Sequence, residues 1–250
     1  MKIHHDALYL FDLDGTLIDT EPLYFKAFQQ ATKELDLPDQ SYEQYIELMH
    51  LDSGSRLNTF ARKKRGMLNR LRNQFILDLL YNHVPILPKT CHLLETLLDQ
   101  GQRVVIVTNS MKTYIKIIQK HVPLLKRVSH WLTREDHVLL KPDPFPYLEA
   151  IRRWGHPNDI VYGFEDSYKG YLSLRDALDQ SRARRVINEG HAYLVDKEYP
   201  LYHRLEQLYP DLRNLESEAP DKDFENPSDA DASQSDFENP SGADASQSDF

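Results

Sequence analysis

Short, wholly apolar segments recur along this chain, each closing on polar residues and each followed by helical patterning. That alternation limits the folds open to it more than any other feature. Residues 7–12 begin with Ala-Leu-Tyr-Leu-Phe and run into Asp12. Arg103 to Thr108 reads Arg-Val-Val-Ile-Val-Thr, and Asp159 to Phe164 is a third run. A strand without polar alternation is buried on both faces, which is the condition of a parallel sheet with helices on either side. Weaker strands are expected at His130–Leu132 and at the end of Ala183 to Asn188. Helices are expected over Glu21 to Leu35 with Thr20 as cap, through 41–82, and around a Leu93, Leu94, Leu97, Leu98 stripe that Gly101 ends. Others are expected over Met111 to Lys120, up to Trp154, and over Tyr171 to Leu178. The class is α/β, with a parallel sheet.

The block at 20–82 has helical patterning and no strand of its own, so it reads as an insertion into the alternation. This predicts a core formed by residues 1–18 and 83–215, an all-helical cap at 19–82, and a tail at 216–250. The tail repeats itself: Asp-Phe-Glu-Asn-Pro-Ser-Asp-Ala-Asp-Ala-Ser-Gln-Ser starts at Asp223 and recurs at Asp236 with Gly242 in place of Asp229. Acidic sequence rich in Ser, Asp and Pro buries too little apolar surface to offset chain entropy, so a disordered spacer is expected. A second use, docking a protein partner through Phe224, Phe237 and Phe250, stays open. The tail holds eleven Asp or Glu and one Lys, a net of −10, while the whole chain is −9, so residues 1–215 carry −9 − (−10) = +1. No basic excess argues for nucleic acid. The single cysteine, Cys91, suits a reducing compartment and reads as a small core residue. No run reaches membrane-span length, and Asp6 soon after Met1 makes a poor signal peptide. The expected location is the cytoplasm.

Chemistry-bearing residues sit where the strands end. Asp12 and Asp14 are two apart, so in an extended segment they project to one side. Two like charges there make sense if a cation holds them, or if one is a nucleophile and the other an acid. Thr108-Asn109-Ser110 offers hydroxyl and backbone donors to an oxyanion. Lys141, heading Lys-Pro-Asp-Pro, can bring a point cation to a phosphate. Glu165-Asp166 adds a second carboxylate pair at the end of a strand.

In this order the segments Phe11-Asp-Leu-Asp-Gly-Thr, Val105-Ile-Val-Thr-Asn-Ser, Lys141-Pro-Asp-Pro and Phe164-Glu-Asp-Ser resemble the haloacid dehalogenase-like hydrolase superfamily, in its beta-phosphoglucomutase-like branch. The resemblance covers about residues 7–190. It implies a Rossmann-like core with strands one, two and four adjacent, and an active site under the cap. It implies Asp12 as nucleophile, Asp14 as acid then base, and Thr108, the Asn109 amide and Lys141 on the phosphoryl oxygens. It further implies Mg²⁺ held by Asp12, the Asp14 carbonyl and Asp166, with Glu165 as ligand or orienting group. Asp14 disfavours dehalogenase and phosphonatase chemistry. Tyr24 stands where beta-phosphoglucomutase carries a His, which disfavours the mutase. The expected activity is hydrolysis of a small phosphorylated metabolite through an aspartyl-phosphate. A phosphosugar mutase is the runner-up, and a non-enzymatic protein docking a partner through the acidic tail is the third reading. Pro88-Lys89 and the segment from Ala177 to Ser181 depart from the family pattern away from the chemistry. The basic stretch Arg62-Lys63-Lys64-Arg65 with Arg70 and Arg72 is expected on a solvated helix face, with a positive lip for substrate as the sharper reading. Arg56 poses the same choice. Trp131 and Trp154 are expected in core packing.

Overall fold

The computed structural model describes residues 7–50 and 62–195. Arg56, the side chains of Arg62 and Lys63, and the acidic repeats lie outside the described side chains and segments.

The three apolar runs form the centre of one sheet. Strands β1 (Ala7–Phe11), β2 (Arg103–Val107), β3 (His130–Leu132), β4 (Ile160–Glu165) and β5 (Glu189–Leu194) pair in the order β3-β2-β1-β4-β5. Every pairing is parallel. Side chains alternate across β1, and the burial follows that period. Ala7, Tyr9 and Phe11 join one apolar cluster with Val104, Ile106, Tyr162 and Phe164. Leu8 and Leu10 join another with Val105, Val107 and Val161. Helices α4 (Pro88–Asp99) and α5 (Lys112–His121) cover the first face through Leu94, Leu97, Ile115 and Ile118. Helices α6 (Phe145–Trp154) and α7 (Tyr168–Ala183) cover the second through Tyr147, Ile151, Leu174 and Ala177. Each such Leu or Ile side chain contributes about 1.5–3 kcal/mol by leaving water. Cys91 is buried against the first face, Trp131 packs on that cluster and Trp154 on the other. Gly163 is required where α7 crosses β4, because a Cβ there would meet Leu174 at 2.4 Å.

Between β1 and α4 lie α1 (Glu21–Glu34), α2 (Tyr42–His50) and α3 (Arg62–Asn82). They share a small cluster of their own: Phe28, Ala31, Tyr45, Ile46 and Leu68. Ala27, Ile76 and Leu80, on the same helices, belong to the main core. No described helix is long and apolar enough to cross a membrane.

Four local expectations need correction. The last strand is Glu189–Leu194, not the end of Ala183 to Asn188. Arg185 adopts φ +56, the left-handed region, so the chain turns there. Ile187 is buried from that turn, which made it resemble a strand residue. Helix α7 also outruns the expected Tyr171–Leu178, because Ser167 caps it, accepting from the Gly170 N–H at 3.2 Å. Thr20 makes no capping hydrogen bond to α1. Arg72 is not on the solvated face; its Nε is buried.

Candidate active site

The chain leaves β1, adds β2 and β3 on one side, then returns to add β4 and β5 on the other. The order therefore reverses around β1, and open α/β sheets bind ligands in the crevice at the strand ends of such a point. Asp12 follows β1 there, its N–H donating to the Phe164 carbonyl at 2.9 Å. Glu165 and Asp166 close β4 beside it. All three are buried, and a carboxylate oxygen from each lies within 4.8 Å of the others.

Lys141 enters from the proline loop. Its ammonium donates to Asp12 Oδ1 at 2.6 Å, to Glu165 Oε1 at 2.6 Å and to the Val107 carbonyl at 2.7 Å. An ammonium has three hydrogens, so β1, β2 and β4 each satisfy one. The Asn109 side chain clips this loop to the end of β2, donating to the Lys141 carbonyl at 3.4 Å and accepting from its N–H at 3.3 Å. Tyr147 supports the arrangement from α6. Its hydroxyl donates to Glu165 Oε1, and its ring centroid lies 4.8 Å from Lys141 Nζ.

Asp14 is held separately, by hydroxyls. Thr20 donates to its Oδ1 at 2.9 Å, and Ser110 and Thr108 to its Oδ2 at 2.6 and 3.3 Å. Thr108 in turn accepts from the Ser110 N–H at 2.9 Å. Thr20 therefore spends its hydroxyl on Asp14 and not on the helix.

Burial is the largest influence on the charged core. It pushes Asp12 well above the ordinary carboxylate range, against the pull of Lys141, and nearby Glu165 and Asp14 push further. Glu165 rises for the same reason, with Lys141 again opposing and Asp166 adding. Burial disfavours the Lys141 cation, but Asp12 and Glu165 outweigh it and its pKa rises. One ammonium therefore faces an excess of carboxylates.

That excess gives a test of whether a divalent cation fits. Asp12 Oδ2 and Glu165 Oε2 are buried and have no hydrogen-bond partner. Leaving such atoms unsatisfied is costly, and hard oxygen donors suit a hard cation. Gly170 keeps space here, since a Cβ at that position would fall 2.0 Å from Glu165 Oε2. The acidic cluster can hold a divalent cation.

The structure thus gathers Asp12, Lys141, Glu165 and Asp166 around one point, and links Thr108 to Asp14 and Asn109 to the Lys141 loop. Sequence reasoning missed Thr20, Tyr147 and Gly170 as site residues, and aimed the Ser110 hydroxyl at an oxyanion where the structure turns it to Asp14. Tyr147 carried one signal, a hydroxyl on the apolar face of its helix. Thr20 carried none that separates it from an ordinary cap.

Comparison with known proteins agrees with this geometry. The sequence profile described as haloacid dehalogenase-like hydrolase matches residues 9–177. An uncharacterized protein in the fgs 3' region of Lacticaseibacillus casei is 30% identical over 176 residues, which is 68% of this chain and 80% of that protein. A phosphoglycolate phosphatase of Mannheimia succiniciproducens is 26% identical over 182 residues, 67% of this chain and 80% of that one. The crystal structure of CbbY from Rhodobacter sphaeroides in complex with phosphate superposes with a TM-score of 0.57 at 22% identity, covering 68% of this chain and 82% of that one.

Proposed function

Because the chain belongs to the haloacid dehalogenase-like hydrolases and is a phosphatase of that family, we propose that it hydrolyses a small phosphorylated metabolite with Asp12 as nucleophile. The observation that carries this reading is the Asp12 carboxylate held through Oδ1 by Lys141, with Oδ2 buried and unpartnered. One oxygen is fixed in place while the other stays available.

Asp12 Oδ2 attacks phosphorus as the bond from phosphorus to the ester oxygen breaks, giving an aspartyl-phosphate. Asp14 gives its proton to the departing oxygen, then accepts one from the water that attacks phosphorus and frees Asp12. The hydroxyls of Thr20, Thr108 and Ser110 hold Asp14 in place. Thr108, the Asn109 backbone N–H and Lys141 bind the transferring oxygens, where charge develops, Thr108 and Lys141 each exchanging one present acceptor for the phosphoryl group. Attack by a carboxylate on a phosphate dianion is repulsive, about 4 kcal/mol for one unit pair at 4 Å and an effective dielectric near 20. Mg²⁺, held by Asp12, Asp166 and the Asp14 carbonyl with Glu165 as ligand or orienting group, would screen that repulsion. Helices α1–α3, in the segment 19–82, stand as a cap over the strand ends and select the substrate.

The test is phosphate release from p-nitrophenyl phosphate with Mg²⁺, before and after chelation. Asp12→Asn is expected to lower turnover by about 10³-fold or more. Turnover unchanged in Asp12→Asn removes the nucleophile from this reading.

A further inference from the structure

Lys141 has no spare hydrogen. Its three donate to Asp12 Oδ1 at 2.6 Å, Glu165 Oε1 at 2.6 Å and the Val107 carbonyl at 2.7 Å. To bind a phosphoryl oxygen, the ammonium has to release one of these acceptors. The three differ in what release leaves behind. Lys141 is the one donor to the Asp12 carboxylate among the described residues, because Oδ2 has no partner, so release there would leave a buried carboxylate bare. The Val107 carbonyl anchors the ammonium to the end of β2. Glu165 Oε1 has a second donor, the hydroxyl of Tyr147. Among the described residues, only at Glu165 does another side chain stay behind to donate.

Tyr147 is fixed independently of Lys141. It is fully buried on α6, in the cluster that holds Leu8, Leu10 and Leu174. A phenol keeps its proton at neutral pH, so it donates to the carboxylate. Its ring centroid lies 4.8 Å from Lys141 Nζ, a cation–π contact that does not depend on the hydroxyl. The loop between Lys141 and α6 is fastened at Asp143. The Phe145 N–H donates to Asp143 Oδ1 at 2.8 Å, and Ser173 of α7 donates to the Asp143 carbonyl at 2.5 Å. Glu165 Oε2 is buried and unpartnered, so Oε1 is the oxygen by which donors hold this side chain.

We propose that Tyr147 is a positioning residue for phosphoryl binding: its hydroxyl holds Glu165 Oε1 while Lys141 turns one hydrogen from Glu165 to the phosphoryl oxygens. The inference rests on the phosphatase reading above and deepens it. With the hydroxyl present, the exchange leaves no carboxylate oxygen newly bare. Without it, Lys141 is the sole donor to Oε1, and phosphate can bind only by stripping a buried acceptor of its last partner, which is costly. The role is therefore conditional. The hydroxyl matters little before phosphate enters, when Lys141 also holds Glu165, and much once it has entered.

Tyr147→Phe tests it, because it keeps the ring and its contact with Lys141 and removes one donor. The melting temperature of the full chain is measured with Mg²⁺ alone and with Mg²⁺ plus inorganic phosphate, and turnover of p-nitrophenyl phosphate is followed alongside. In Tyr147→Phe the stabilisation by Mg²⁺ alone is expected to match that of the unaltered chain. The dissociation constant for phosphate, read from the melting temperatures, is expected to rise about tenfold. KM is expected to rise by a like factor, with kcat changed far less. Equal weakening of the Mg²⁺ and phosphate responses would mean that Tyr147 only supports the fold, and overturns the inference. Phosphate affinity and KM both unchanged in Tyr147→Phe, with turnover intact, defeat the positioning role alone. No turnover of p-nitrophenyl phosphate by the unaltered chain defeats the phosphatase reading beneath it.

Discussion

The ends of β1, β2 and β4 and the helices α1–α3 are built on different terms. At the strand ends, polar groups are buried and tied to one another across the sheet, with Lys141 donating to a group from each of the three strands. Among the helices, five apolar residues form a separate small cluster, and the buried Arg72 Nε is left without a partner. Among the described residues, the first region ties most of its polar atoms to one another and leaves two acceptors open, Asp12 Oδ2 and Glu165 Oε2; the second leaves one donor open. The proposed catalytic groups thus sit at the ends of buried strands, and the small cluster of α1–α3 forms a thinner layer.

That contrast breaks most readily at Leu68, which is fully buried in the small cluster. Leu68→Ala is expected to cost about 2–5 kcal/mol of local stability. Hydrogen exchange should quicken in α1–α3 while β1, β2 and β4 stay protected. Equal loss of protection in both regions would mean that they unfold as one unit, and the distinction would fail.

Gly170→Ala sharpens it from the other side. The added methyl would meet the Glu165 carboxylate at 2.0 Å, and that carboxylate is held by Lys141 and Tyr147. Glu165 has to leave its place, and a displacement near 1 Å costs about 10²-fold in turnover. The helices should keep their exchange protection. Full activity in Gly170→Ala would show that Glu165 is not positioned as tightly as its contacts imply.

The smallest expected effect is a pH dependence. Asp12 and Glu165 have folded-state pKa values raised by burial. The folded state therefore binds their protons more tightly than the unfolded chain, and the stability they contribute is present below the ordinary carboxylate pKa and lost as pH rises through the raised values. With a chelator present, the melting temperature should fall on going from about pH 5 to 8, by 2–4 °C for each kcal/mol lost. Mg²⁺ should restore more at the upper end, because it favours the ionised carboxylates. Glu149, held down to about 2 by Arg152, and Asp136, also lowered, lose stability only at acid pH and do not obscure the window. A melting temperature that rises across the window, or a Mg²⁺ effect independent of pH, would contradict the charge balance drawn for the strand ends.

Much of this was legible in the residue order. Continuous apolar runs mark strands buried on both faces, and β1, β2 and β4 fall within a residue of where those runs predict. A strand's end lies beside its last apolar residue, so Asp12, Thr108 and Glu165 could be placed before any coordinates. Lys141 could be named but not its partners. It reaches Asp12 across 129 positions, and no local pattern encodes such a meeting. Thr20 shows the limit in the other direction. Its local context predicts a cap, and the carboxylate of Asp14 six residues away outbids the backbone. Arg72 sits in a run of charges that reads as solvated, and only the folded chain buries its Nε.

The linear chain by itself thus determined the α/β class, the strands of the sheet's centre and the residue types at their ends, because apolar periodicity and chain reversal are short-range properties. The tertiary structure alone decided which polar atoms are satisfied and which are left open. Hydrogen bonds of a few ångströms are formed between residues far apart along the chain, and their pairing exists only once the sheet order and the helix packing have brought them together.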